Sequence, residues 1–245
     1  MSMTKACCTL PPVSSDYTPE GEVFSLGDLP IYETKDKSPK LVLICAYDIF
    51  GFHPNTKQFA DKLNSCGMFR VVMPDFFRGE GLSMENFPPK DFSEIKKFVA
   101  TKGSWEIAKR DMLNVIEHYK KEGVTNFGVF GFCWGGKMSI RASCEIDDVN
   151  ASVLIHPSMV DNADAEGAKC PVLFIPTKDE PDMIPLYEIV KKNLGEDKTA
   201  HHRLDDVFHG FAGARGDWTD ELQNQRVNET ISLTHSFFKK HLSKN

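Results

Sequence analysis

Residues Leu41–Ala46 read LVLICA, an unbroken apolar run of strand length. A strand with one wet face alternates apolar and polar residues, whereas a parallel strand covered on both faces does not. Similar short runs recur at Phe69–Met73, Asn126–Phe130, Ala151–Ile155 and Val172–Ile175. Helical periodicity lies between them. Pro54–Cys66 puts Phe59, Ala60 and Leu63 on one side and stops at Gly67; Trp105–Lys121 carries Ile107, Met112, Val115, Ile116 and Tyr119 on one stripe and ends before Gly123. Asp91–Thr101, Lys137–Cys144, Pro185–Leu194 and Glu221–Leu242 are further helical patterns, and His201–Leu204 reads as a strand. Two short strands, Glu22–Phe24 and Ile31–Glu33, flank Gly27-Asp28 as a hairpin. Strands alternating with helices specify an α/β fold with a mostly parallel, doubly wound sheet and helices on both faces. In such a sheet ligands meet the carboxyl ends of the strands, so the residue after each strand is the one to question.

The 245 residues suit a single domain over 1–245, with 1–20, rich in Pro, Ser and Thr, as an irregular arm. No repeat or low-complexity segment is present. The charge balance, −6 at pH 7, excludes the concentrated basic surface of a nucleic-acid binder. The Lys pairs at 96–97, 120–121, 191–192 and 239–240 fall within amphipathic patterns as solvated helix faces. No stretch approaches the ~18 apolar residues of a membrane span. Met1–Pro12 has one Lys and no apolar run, unlike an export signal. Seven cysteines at irregular spacing, Cys7 and Cys8 adjacent, read as free thiols of a reducing compartment, so a cytoplasmic location is expected. The expected partner is a small-molecule substrate, with no nucleic acid and no membrane, for a monomer or homodimer.

After the 126–130 strand comes Gly131-Phe132-Cys133-Trp134-Gly135-Gly136. This is the strand–turn–helix elbow G-x-nucleophile-x-G with Cys as the nucleophile. The turn is so sharp that a side chain two residues to either side would collide, hence glycine at both positions. The following helix aims its leading N–H groups and positive dipole end at the site, favouring a thiolate and an oxyanion. The same residues nearly spell a phosphate loop, but Met138 follows Lys137 where a magnesium-binding Ser or Thr belongs. Partners should follow in the order nucleophile, acid, base. The base is His209, in a loop before the last helix and followed by Gly210. His53 and His118 precede the nucleophile, His156 follows a strand but comes too early, and His201 and His202 lie in a strand pattern. The acid should follow the 172–175 strand, among Asp179, Glu180 and Asp182; Asp179 is chosen. Its task is to orient the imidazole and stabilise the imidazolium.

Together, Tyr47-Asp48-Ile49-Phe50-Gly51, Pro74-Asp75-Phe76-Phe77, the Gly131–Gly136 elbow and His209-Gly210-Phe211 resemble the dienelactone hydrolase family, from about Leu41 to the C-terminus. The elbow is also similar to that of eukaryotic carboxymethylenebutenolidase homologues, and Ala6-Cys7-Cys8 with Pro11-Pro12-Val13 to a fungal-type branch. The resemblance implies an α/β-hydrolase fold and an esterase of small carboxylic acids, using a Cys133–Asp179–His209 triad and no metal or organic cofactor. It further implies an oxyanion hole of the Trp134 and Ile49 backbone N–H groups. Asp48 stands where the family often has a Glu that gates the thiol. If Pro171 is aligned with the family, the acid shifts to Glu180. Arg78 is near the family's first Arg for a substrate carboxylate; Arg215 is nearest to the second. The alternative is a catalytically inactive relative that binds a ligand or partner.

Overall fold

The computed structural model describes residues 11–82, 87 and 92–243; Cys7 and Cys8, the first half of the expected arm and the start of the expected 91–101 helix lie outside them. In chain order the elements are β1 (Glu22–Leu26), β2 (Leu29–Glu33), β3 (Leu41–Ala46), α1 (Pro54–Asn64), β4 (Phe69–Pro74), α2 (Phe92–Thr101), α3 (Trp105–Lys121), β5 (Asn126–Phe132), α4 (Trp134–Glu145), β6 (Val149–Ile155), β7 (Val172–Ile175), α5 (Ile184–Leu194), β8 (Thr199–His201) and α6 (Glu221–Leu242). The strands form an eight-stranded sheet in the order β1-β2-β4-β3-β5-β6-β7-β8. The pairs β1–β2 and β2–β4 are antiparallel and the others parallel. The fold class is therefore the expected one.

The apolar runs explain the layers. β4 is buried at every position, as is β7, and β3 from Val42 onward, because helices cover both faces. On β5, a side chain at Gly128 would run into Phe238 of α6, while one at Gly131 would run into the α4 backbone. Residues three apart on a strand point to opposite faces, so α6 and α4 lie on opposite sides of the sheet. The strand order reverses between β3 and β5, and the crevice at that switch point opens beside the end of β5, where Cys133 follows.

Several boundaries differ from expectation by a residue or more, and two of them bear on the site. α4 begins at Trp134, not 137. Gly135-Gly136 is a poor helix start by propensity, and the contacts of the elbow override it. β8 covers Thr199–His201 rather than 201–204. The chain continues beside β7, with His202 N donating to Phe174 O and Leu204 N to Pro176 O, but the regular ladder ends at His201.

Residues 11–20 carry no helix or strand, yet they are tethered. Val13 N donates to Ala214 O at 2.9 Å, and the Tyr17 hydroxyl and Glu20 N both bond Asp61 of α1. Among the described residues no helix is long and apolar enough to cross a membrane.

Candidate active site

Cys133 adopts φ 54, ψ −112, a conformation L-residues avoid, between the end of β5 and the first residue of α4. Its neighbours show why the motif needs glycine twice. A Cβ on Gly131 would lie 2.0 Å from Gly135 O, and one on Gly135 would lie 1.9 Å from Ala46 O. Close approach of Gly135 to Ala46 and Tyr47 brings the end of β3 against the elbow, so the turn carrying Ile49 borders it. Trp134 is the first residue of α4, and its N–H belongs to the leading group that has no partner within a helix. The Trp134 ring is held by its Nε1–H bond to Gly103 O and by the rings of Tyr47, Phe76 and Phe77. Cys133 itself is 1% exposed.

His209 follows the β8 region in a loop that Gly210, at φ 98, turns sharply. Its Nδ1 lies 2.6 Å from Glu180 Oε1, and both side chains are fully buried. Thr177 N–H donates to the other Glu180 oxygen. Asp179, the acid chosen from sequence, is elsewhere: its Oδ2 accepts the backbone N–H of His209 at 2.8 Å, and its residue is half-buried. Both carboxylates thus hold His209, Asp179 by the main chain and Glu180 by the ring. The correction has a simple cause. The β7 loop turns at Pro176–Thr177, where Thr177 bridges to Leu204, and the inward position falls on residue 180; the longer Glu side chain then reaches the ring.

Asp48 is buried at the end of β3, and both its oxygens accept main-chain N–H groups: Oδ1 from Phe50 at 3.0 Å and Oδ2 from Ala214 at 2.9 Å. It ties the Ile49 turn to the loop after His209. Its charge is felt nearby. Burial, with Asp48 adding to it, pushes the Cys45 thiol well up. Burial also holds His53 below the ordinary imidazole range, against an opposing pull from Asp48.

Arg78, expected near a substrate carboxylate, is instead bonded to carboxylates of the chain itself. Its guanidinium grips the fully buried Asp111 of α3 through both Nη1 and Nη2, and reaches Asp28 of the β1–β2 turn at 3.3 Å. Its planar fork is therefore already satisfied by a carboxylate of the chain. The Asp111 bond, partly opposed by desolvation, raises the Arg78 pKa further. Arg215 is the cation beside the site instead. It is 4% exposed, packs on Gly210, and holds its guanidinium 5.0 Å from the Phe50 ring and 5.4 Å from that of Phe87. Phe50 adjoins Ile49, so this cation lies between the base loop and the Ile49 turn.

The structure brings beside His209 a histidine that the sequence reading set aside as the base because it comes too early in the chain. His156, the first residue after β6, is fully buried at φ 36 with its ring 5.1 Å from that of His209. The signal was available, since it occupies the position after a central parallel strand.

The sequence profile of the dienelactone hydrolase family matches residues 30–242. The chain belongs to the dienelactone hydrolase family. It is 35% identical over 233 residues to an uncharacterized AIM2 family protein of Schizosaccharomyces pombe, covering 92% of this chain and 93% of that protein. It is 30% identical over 208 residues to a carboxymethylenebutenolidase homolog of Xenopus tropicalis, with 80% of each chain covered. Among solved structures, dienelactone hydrolase from Anabaena variabilis superposes with a TM-score of 0.64 at 13% identity, over 91% of this chain and 99% of its own. The Pyrococcus furiosus esterase gives 0.63 at 13% identity, over 96% and 100%. These two likenesses confirm the α/β-hydrolase fold, and family membership makes the chain a protein of hydrolase type.

Proposed function

We propose that this dienelactone hydrolase family member cleaves a lactone, ester or thioester of a small carboxylic acid through an acyl-cysteine intermediate. Cys133 is the nucleophile, His209 the base and Glu180 the acid that orients it. The observation carrying this is the buried 2.6 Å contact of His209 Nδ1 with Glu180 Oε1, joined to the strained Cys133 elbow through His156, whose ring meets that of His209 and whose flanking residues bond the Cys133 main chain. A carboxylate on Nδ1 leaves the proton there and makes Nε2 the basic nitrogen.

In the first half-reaction the Cys133 thiol proton passes to His209 Nε2 while sulfur attacks the carbonyl carbon. The tetrahedral oxyanion is received by the N–H groups of Trp134 and Ile49, each such donor being worth roughly 3 kcal/mol. The bond from the carbonyl carbon to the leaving oxygen, or to the leaving sulfur of a thioester, breaks, and that atom takes the proton from His209. Water then attacks the thioester, giving its proton to His209, which returns it to the sulfur as the carboxylic acid departs. Arg215 takes over the carboxylate-anchoring role expected of Arg78: a cation at the Ile49 turn favours substrates with a second anionic group. Asp48 acts as a strut rather than a gate, because moving its carboxylate would break two main-chain hydrogen bonds. A reducing, cytoplasmic setting fits the five described cysteines, all free thiols.

The test is turnover of a panel of chromogenic esters and carboxylate-bearing lactones. The wild type should hydrolyse at least one lactone, and Cys133→Ala should abolish that activity. Hydrolysis surviving in Cys133→Ala would remove the nucleophile assignment.

A further inference from the structure

The turn Ile155–Ser158 wraps the nucleophile. Cys133 N–H donates to Ile155 O at 3.2 Å, and Ser158 N–H donates back to Cys133 O at 2.9 Å. Gly136 leaves room for Pro157 between these bonds, since a Cβ there would lie 2.7 Å from that ring. To reverse direction within three residues the chain takes φ 36 at His156, a position anchored by its N–H bond to Ile175 O at 2.8 Å. Glycine would relieve such a backbone, so an imidazole kept there points to a use for the side chain.

The ring's surroundings indicate that use. It lies against Phe132 and Phe211, at 5.7 and 5.8 Å between centroids, and meets the His209 ring edge to face at 5.1 Å. On a further side Gly213 admits it closely, with the site of a missing Cβ 3.8 Å from His156 Cε1 and 2.6 Å from Asp48 Oδ2. A flat five-membered ring thus fills the space between the base and the Asp48 strut. Glu180 bonds the base at Nδ1, and the His156 ring bears on it from another side.

We infer that His156 is a positioning residue: its ring braces the His209 imidazole while its backbone turn clamps Cys133, so one four-residue turn sets the geometry of nucleophile and base together. This rests on the esterase reading above. Misplacing a catalytic group by about 1 Å can cost about a hundredfold in rate without weakening substrate binding.

The test uses the full chain with two substitutions, His156→Asn and His156→Gly. Both residues tolerate the left-handed backbone, so neither adds strain, and both remove the ring. Acylation of Cys133 by a chromogenic ester is followed in single turnover, beside the unfolding midpoint in urea. The expected result is a maximal acylation rate about tenfold or more below wild type, with the half-saturating ester concentration within about twofold and the midpoint unchanged or, for Gly, raised. Either variant acylating within about threefold of wild type overturns the inference, as does a rate loss that follows a fallen midpoint. A wild type that takes no acyl group on Cys133 overturns the esterase reading and this inference with it.

Discussion

Replacing Glu180 by Gln keeps the shape of the group on His209 and removes its charge. In the resting protein the 2.6 Å contact joins a carboxylate to Nδ1 in a fully buried setting. The charge matters most when His209 carries the extra proton, as it does in the transition state for attack. A unit negative charge about 4 Å from the centre of the imidazolium is worth about 4 kcal/mol at an effective dielectric of 20. Part of this is offset by the lower desolvation of an amide, leaving about 3 kcal/mol, or about two decades in kcat. Asp179→Asn is the contrasting perturbation. Asp179 binds the main-chain N–H of His209, and the amide oxygen of Asn can still accept that bond. The loss there is about 1 kcal/mol, or about fivefold. The assay is kcat with a chromogenic ester for both variants, with the unfolding midpoint checked for each. Should Asp179→Asn lose more than Glu180→Gln at matched stability, the assignment of Glu180 would be wrong and the acid would be Asp179 after all.

Arg215→Gln should lower kcat/KM for a carboxylate-bearing lactone by about tenfold relative to a neutral ester of similar size, whereas Arg78→Gln should leave that ratio alone. Arg78→Gln should instead lower unfolding stability by about 2 kcal/mol, because it leaves the buried Asp111 carboxylate with only the largely exposed Arg110 as a cationic partner; an altered substrate ratio in this variant would return Arg78 to the site. Glu33 bears on pH. Its burial opposes ionisation, but bonds from Arg70, Tyr119 and Lys37 outweigh that and hold it below its usual value of 4.5. A depressed carboxylate stabilises the fold above its unfolded pKa and loses that contribution as pH falls. Glu33→Gln should therefore cost about 3 kcal/mol at pH 7 in urea unfolding, with the gap from wild type closing as pH drops below about 4.5. A gap independent of pH would contradict the sign.

Much of the fold was legible because burial writes itself into composition. LVLICA at β3 fits a strand covered on both faces, and Gly131 and Gly135 mark a backbone too tight for any other residue. The placement of Cys133 in the turn after β5 and of His209 in the loop after β8 followed from position relative to strands. The choice between Asp179 and Glu180 did not follow, because both lie in one turn and only the direction of the turn decides which side chain points inward. The ion pair of Arg78 was hidden for a related reason: its partner Asp111 is 33 residues away in sequence, and nothing local shows the contact. His156 was set aside by chain order, a rule that governs triad members and is silent on the residues that brace them.

The central claim is an acyl group on Cys133 during turnover. Brief exposure of the protein to a slowly deacylating chromogenic ester, acid quench and peptide mapping by mass spectrometry reads it directly. The expected result is one acyl group per chain, on the peptide holding Cys133, absent in Cys133→Ala and greatly slowed in His209→Ala. Steady hydrolysis with Cys133 unmodified, or with the acyl group on Cys66, would contradict it.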